Sequence, residues 1–472
     1  MGSQAFDAGE FAAELQRIIK ATADAVSTEG PVNPLVEKVF GHLGLDPAAV
    51  TVVTQEWPSW EHANLQRGVD AYVGERGSAP DWFGIAGAQR SGDDFIGLLA
   101  NARHGRWYEL GTVDYATVAI GPDKSIEAVK LGLVNATAPD GVPVVLCVRG
   151  PDMRFGNTQA CQLTVLAAER VTATAARERI EELMAEHDVY RGQVLAFGIS
   201  EHRGNELLTF LPRPHLSAAD VVLPDGVLDL IERHTVGIAE HGARLRAAGQ
   251  HVKRGLLLHG APGTGKTHTV RYLMGRLPDA TVIVISGPAM RLINAASALA
   301  RRLQPSVVVV EDVDLIAKDR SYSPSGNPLL FSLLDAMDGI GGDADVTFLL
   351  TTNRAGELET ALADRPGRVD LAVEIPRPDA RGRAALLALY SSGLTVTADL
   401  EPIVAATAGQ TASFIKELLR RAALRAITAH PEQQQVSVDD ADLTATLGEM
   451  NDAASALTRS LLGAPNGQDS NS

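Results

Sequence analysis

The run Gly260-Ala261-Pro262-Gly263-Thr264-Gly265-Lys266-Thr267 sets glycines, a lysine and a threonine at the spacing of a phosphate-binding loop. Glycines let backbone N–H groups come close to phosphate oxygens, and a helix opening directly behind them turns its positive end on the same charge. In that arrangement Lys266 neutralises the β- and γ-phosphates and the Thr267 hydroxyl ligates Mg²⁺. His268 belongs to the same nucleotide-contacting stretch. The loop alone suits ATP and GTP equally.

Further along, Val307-Val308-Val309-Val310-Glu311-Asp312 places two carboxylates behind a run of β-branched residues. Such a run is a strand buried on both faces, and the carboxyl ends of parallel strands are where α/β sheets bind ligands. Hydrolysis needs one carboxylate near Mg²⁺ and another to orient or deprotonate water, roles that Glu311 and Asp312 fit in that order. A second apolar strand over 346–352 ends in Asn353, a residue able to hydrogen-bond a γ-phosphate or an attacking water. Then Arg365-Pro366-Gly367-Arg368-Val369-Asp370 puts two arginines in a rigid turn. Their forked donors match phosphate oxygens, and an arginine supplied by a neighbouring subunit can stabilise transition-state charge. Taken singly, Asn353 is ordinary turn chemistry and the arginines are a solvated pair; their neighbours give them a function.

These residues need a scaffold. Residues 255–259 read as the strand before the loop and 269–277 as the helix after it. Strands and helices alternate over 221–378, as in a parallel sheet with helical crossovers. Residues 379–450 are mostly helical, with helices at 381–390, 400–407, 413–428 and 438–447, which makes a small lid. Residues 201–220, polar and proline-bearing, read as a linker. Residues 1–200 read as a separate α+β domain, with strands at 142–148 and 162–167 and a charged helix at 172–187. Trp57, Trp60, Trp82 and Trp107 all fall there and read as core aromatics ahead of a partner surface. Helical spacing over 5–26 predicts a core-facing helix, and 451–472 reads as a polar tail. The expected fold is α/β: a P-loop parallel sheet and helical lid, preceded by an α+β domain.

Composition narrows the function. The 472 residues carry a formal charge of −16, which argues against nonspecific attraction to nucleic acid or anionic lipid. The longest apolar runs are far too short to span a bilayer, and the amino terminus lacks the basic and apolar regions of a secretory signal. The only two cysteines, Cys147 and Cys161, form no metal-binding or disulfide pattern. The expected compartment is the cytoplasm.

Taken in order, GAPGTGKT, VVVVEDVD, NPLLFSLLDAMDG, LLTTNR and RPGRVD resemble the AAA family of ATPases over roughly 221–450. The resemblance implies ATP as the nucleotide, a ring, usually a hexamer, and sites shared between subunits. It implies that Lys266 and Thr267 bind nucleotide and Mg²⁺, that Asn353 is the first sensor, and that Arg365 and Arg368 are arginine fingers acting in trans. The stretch Gly409-Gln410-Thr411-Ala412-Ser413 resembles the segment opening the second-sensor helix, without an arginine. Most relatives end the acidic motif Asp-Glu. The order Glu311-Asp312, like Val221-Val222-Leu223-Pro224-Asp225-Gly226, resembles the AAA module of mitochondrial Rieske-protein translocases. Threading members carry an aromatic residue in the pore loop, whereas the corresponding stretch 286–294 has none. There Met290, Leu292 and Ile293 are either a substitute apolar grip or the packing of a helix start. The function expected is a remodeller or assembler of protein partners recruited by residues 1–200. The alternative is a nucleotide-gated scaffold with weak hydrolysis.

Overall fold

The computed structural model describes residues 14–18, 20–21, 33–75, 81–87, 97, 99, 108–151, 160–199, 206–314, 328–354, 368–432 and 434–461. The chain forms two compact units, Met1–Tyr190 and Arg191–Ser472.

In the first unit β1 (Thr51–Pro58), β2 (Trp82–Ala86), β3 (Glu109–Gly111), β4 (Asp114–Gly121), β5 (Lys124–Thr137), β6 (Pro143–Arg149) and β7 (Ala160–Ala167) make one antiparallel sheet. Its order is β1-β7-β6-β5-β2-β3, with β4 also paired to β5. Helix α1 (Pro34–Leu43) packs on one face, and α2 (His62–Gly74) and α3 (Arg170–Glu186) on the other. Successive side chains of a strand point to opposite faces, so Leu133 joins the α1 core and Val134 the core under α2 and α3. Coverage of both faces explains why Val144 to Val148 on β6 are all fully buried. Trp57 and Trp82 pack against the α2–α3 core, while Trp107 lies outside the described residues.

Polar pins fasten α2 to the sheet. His62 Nε2 donates to the Val129 carbonyl at 2.7 Å, and the Gln66 side-chain oxygen accepts from the Val129 N–H at 2.8 Å. Gly150 lies flat against the His62 ring, where a Cβ would come within 2.5 Å of Cε1. Burial pushes the His62 pKa below its usual 6.5, and the bond to the Val129 carbonyl opposes that only in part.

The second unit holds a seven-stranded sheet in the order β14-β10-β13-β12-β11-β8-β9. Its strands are β8 (Val194–Ile199), β9 (Glu206–Leu211), β10 (Arg254–His259), β11 (Thr281–Ile285), β12 (Ser306–Val310), β13 (Val346–Thr352) and β14 (Leu371–Glu374). All neighbours run parallel except the β8–β9 hairpin. A lid follows, made of α9 (Ala380–Tyr390), α10 (Leu400–Ala406), α11 (Ala412–Ala429) and α12 (Asp440–Leu461) around a core that includes Leu387, Ile415, Leu418 and Leu443. The crossover helices preceding the lid in this unit are α4 (Val227–Glu232), α5 (Ile238–Ala247), α6 (Lys266–Arg276), α7 (Ile293–Arg302) and α8 (Pro328–Asp338). No helix of the described residues is long and apolar enough to cross a membrane.

Several boundaries differ from expectation. The first unit ends at Tyr190, and 194–199, expected within the amino-terminal domain, is a strand of the second sheet. The expected linker over 201–220 contains β9, whose partner β8 caps the free edge of β11. Arg213, just past β9, donates to four carbonyls: Gly192 at 3.0 Å, Met274 at 2.7 Å, Leu277 at 3.0 Å and Ala280 at 2.8 Å. It therefore caps the carboxyl end of α6, whose last carbonyls have no partner within the helix. Helix α12 runs to Leu461, into the expected tail. Of the helix expected over 5–26, residues 14–18 and 20–21 are helical, but Leu15 and Ile18 are exposed rather than turned into a core. Met290, Leu292 and Ile293 are buried where a 3₁₀ turn (Gly287–Leu292) leads into α7, so they pack the helix start and present no apolar grip.

Candidate active site

The parallel register brings the chemistry together. His259 of β10 pairs with Thr352 of β13, and Val310 of β12 with Leu350, so the ends of these strands open on one side of the sheet. The loop after β10 turns through Gly260 (φ 142°), Gly263 (φ 77°) and Gly265 (φ 115°), conformations that side-chain-bearing residues rarely adopt. Helix α6 begins at Lys266, so its amino end faces the loop, and the Thr267 side chain is exposed there. The Thr264 hydroxyl donates back to the Ala261 carbonyl at 2.9 Å and stiffens the turn.

Lys266 is buried, and its ammonium donates to the Gly260 and Ala261 carbonyls at 2.9 Å each and to Asn353 Oδ1 at 2.8 Å. Burial lowers its pKa, and the carboxylates of Asp312 and Asp314 pull it back up. Asn353 Nδ2 in turn donates to Asp312 Oδ1 at 3.2 Å. Lysine, asparagine and aspartate thus form one chain across three strand ends. Glu311 lies half-buried at the end of β12, its N–H bonded to the Ile285 carbonyl at 3.1 Å. His268 Nε2 meets the Asp220 carbonyl at 2.9 Å, which ties the first turn of α6 to the segment before Val221.

The lid closes over the loop. The Ser413 N–H at the start of α11 donates to the Gly263 carbonyl at 3.0 Å, and a Cβ on Gly263 would meet Ser413 Oγ at 2.9 Å. Beside this contact opens a cavity of about 350 Å³, lined among others by Val222, Leu223, Thr264, Pro378, Gly382 and Leu386. Its lining mixes apolar side chains with the charged Asp225, Asp379 and Arg381 next to the phosphate loop. Sequence reasoning named no such pocket, because its walls come from four separate segments.

Arg368 is placed elsewhere. Its carbonyl presses on Gly255, where a Cβ would stand 1.9 Å away, at the opposite end of β10 from Gly260. Its buried guanidinium is gripped by Asp338, Nε to Oδ1 at 3.0 Å and Nη2 to Oδ2 at 2.6 Å, and that pairing raises its pKa. Arg365 lies outside the described residues.

Two residues at the strand ends were missed from sequence. Asp314, buried, accepts at Oδ1 from the Asn353 N–H at 3.0 Å and from the Thr352 hydroxyl at 3.2 Å. The Thr351 hydroxyl accepts from the Asp312 N–H at 3.0 Å. The signal for Asp314 was its place two residues after Asp312 on an otherwise apolar path; Thr351 carried none.

The donor set suits a magnesium nucleotide. Glycine N–H groups, a buried ammonium, an exposed hydroxyl and a carboxylate at a strand end are what Mg²⁺ and phosphates need, since this ion keeps several waters and few protein ligands. Among the described residues no group of three or more His, Cys, Asp or Glu side chains gathers as a metal site.

Residues 256–377 match the family described as "ATPase family associated with various cellular activities (AAA)". The chain is 30% identical over 264 residues to the ATP-dependent zinc metalloprotease FtsH of Synechococcus sp. (strain JA-2-3B'a(2-13)), covering 52% of this chain and 40% of that protein. It is 30% identical over 210 residues to the proteasome-activating nucleotidase of Methanosphaerula palustris, covering 41% of this chain and 50% of the relative. FtsH of Mycobacterium tuberculosis (strain ATCC 25618 / H37Rv) is 29% identical over 249 residues, 49% of this chain and 32% of that protein. The chain thus spans half or less of the length of these curated relatives. With its strand order, phosphate loop and matched residues taken together, the second unit of this chain carries an AAA P-loop domain.

Proposed function

We propose that this chain is a Mg²⁺-dependent ATPase that works as a homo-oligomeric ring, most simply a hexamer, and couples hydrolysis to remodelling or assembling a protein partner. The first unit, with no phosphate loop of its own, recruits that partner. The observation that carries the ring is the position of Arg368. Gly255, against which it lies, and Gly260 stand at opposite ends of β10, about five residues or ~16 Å apart at ~3.3 Å per residue. An arginine there is out of reach of its own subunit's phosphates, and it serves a neighbour's once its guanidinium leaves Asp338. Arg365, in the same turn by sequence, is assigned the same role.

In this reading the glycine N–H groups and Lys266 hold the β- and γ-phosphates, and the pocket beside Thr264 takes the base. Thr267 and Glu311 would hold Mg²⁺, which would supply charge neutralisation to the phosphates. Asp312 and Asn353 orient a water against the γ-phosphorus. The water oxygen bonds to phosphorus, the bond to the bridging oxygen breaks, and Asp312 takes the water proton, leaving ADP and phosphate. Arginines from the adjacent subunit stabilise the charge spread over the γ-oxygens.

The buried Met290, Leu292 and Ile293 favour a second reading for the cycle: a nucleotide-gated scaffold that does not thread extended chains. The order Glu311-Asp312 likewise keeps the resemblance to Rieske-protein translocase modules as a motif-level reading. Steady-state ATP hydrolysis against protein concentration tests the proposal. Activity per subunit that rises steeply with concentration supports shared sites, and activity independent of concentration refutes them. Many turnovers per subunit favour the remodeller, about one per assembly cycle the switch.

A further inference from the structure

We propose that Thr351 is a positioning residue for hydrolysis, holding the backbone of Asp312 in the conformation that delivers its carboxylate to Asn353. The inference rests on the ATPase reading above and assigns a role to a residue outside the phosphate loop, the acidic pair and the first sensor.

Among the described residues Asp312 is the one non-glycine residue with positive φ, at 53°. This left-handed region is sterically disfavoured, and among residues with a side chain asparagine and aspartate enter it most readily. Something must hold the chain there. Strand β12 pairs with β13 in register as far as Val310, which faces Leu350. Two residues on, the chain turns, and Thr351 catches both amides of the turn. Its hydroxyl accepts from the Asp312 N–H at 3.0 Å and its carbonyl from the Val313 N–H at 2.9 Å. Thr351 is 1% exposed, so neither bond competes with bulk water.

The opposite arm is fixed reciprocally. Asp314, from the β12 side, accepts from the Asn353 N–H and the Thr352 hydroxyl of the β13 side. Thr351 reaches one way across the strand ends and Asp314 the other, and the bond between Asn353 Nδ2 and Asp312 Oδ1 spans the gap between them. The arrangement links two sequence choices. An aspartate at 312 accepts a left-handed backbone better than a glutamate, and the threonine hydroxyl at 351 supplies the acceptor that sets it.

The test uses the full chain with Thr351→Val, which keeps the branched shape and removes the hydroxyl, and Thr351→Ser, which keeps the hydroxyl. Thermal unfolding of each variant confirms the fold. We expect Thr351→Val to bind a fluorescent ATP analogue with unchanged Kd while kcat falls about 10²-fold, the scale for a catalytic group misplaced by ~1 Å. Thr351→Ser should restore most of kcat. Wild-type turnover for Thr351→Val, loss of binding in parallel with kcat, or failure of Thr351→Ser to restore activity would each overturn the inference. Wild-type turnover that disappears in Lys266→Ala serves as the separate check on the ATPase reading. A wild-type chain that binds ATP without hydrolysing it sinks that reading and the inference with it.

Discussion

Lys266 and Asn353, 87 positions apart, share a 2.8 Å hydrogen bond from the ammonium to the amide oxygen. The amide nitrogen of Asn353 then reaches Asp312. One side chain therefore touches the ammonium proposed to bind phosphate with one atom and the carboxylate proposed to orient water with the other. Asn353→Ala should leave ATP affinity nearly intact and lower kcat about 10²-fold, the loss typical of removing one positioned donor. Equal losses in binding and turnover would contradict that role.

Lys266→Ala should abolish nucleotide binding or hydrolysis, and full activity in that variant would refute the phosphate-loop assignment. Asp312→Asn is the complementary probe. Asparagine tolerates the left-handed backbone at 312 as well as aspartate does, so the change removes the charge and keeps the geometry. ATP should then remain bound and unhydrolysed, read out as stoichiometric retention of labelled nucleotide on the protein.

Arg368→Ala and Arg365→Ala subunits should be inactive alone and regain part of the activity when mixed with Lys266→Ala subunits, since each brings what the other lacks. No recovery in mixtures shown to co-assemble would count against shared sites. For Arg368 the structure adds a second expectation, because its guanidinium is bound by Asp338 within the same subunit. Arg368→Ala should also destabilise the isolated subunit, by about 1–2 kcal/mol for a charged hydrogen-bonded pair with one partly exposed member. A double-mutant cycle with Asp338→Ala measures that coupling.

The first unit should lose stability as pH falls from 7 toward 5. The buried His62 has a pKa below its usual 6.5, so in that window the unfolded chain takes up a proton that the folded chain does not. Stability therefore falls as pH drops through 6.5. His62→Gln should flatten the dependence. All tryptophans lie in the first unit, so the tryptophan fluorescence of unfolding at pH 7 and pH 5.5 reports it apart from the ATPase unit.

Much of the ATPase unit was legible because its signals are local. Four consecutive valines announce a buried strand, and glycine spacing announces a loop whose backbone must turn left-handed. The resemblance supplied the rest of the order. What stayed hidden depends on pairing between distant segments. Thr351 matters because the register of β12 and β13 sets its hydroxyl beside an amide 39 positions away. Residues 206–211 were masked by glycine and proline neighbours, and only their pairing with 194–199 makes them a strand. Arg368 could be named, but its hold by Asp338 required the fold.

The hairpin of β8 and β9, together with the Arg213 clamp, sets where this molecule can be cut. A fragment begun at residue 221, where the recognisable motifs start, would strip the cover from β11 and leave open the carbonyls at the end of the phosphate helix. The second unit is therefore longer than its signature. It begins at Arg191, and a crystallisation or transplantation fragment should start there.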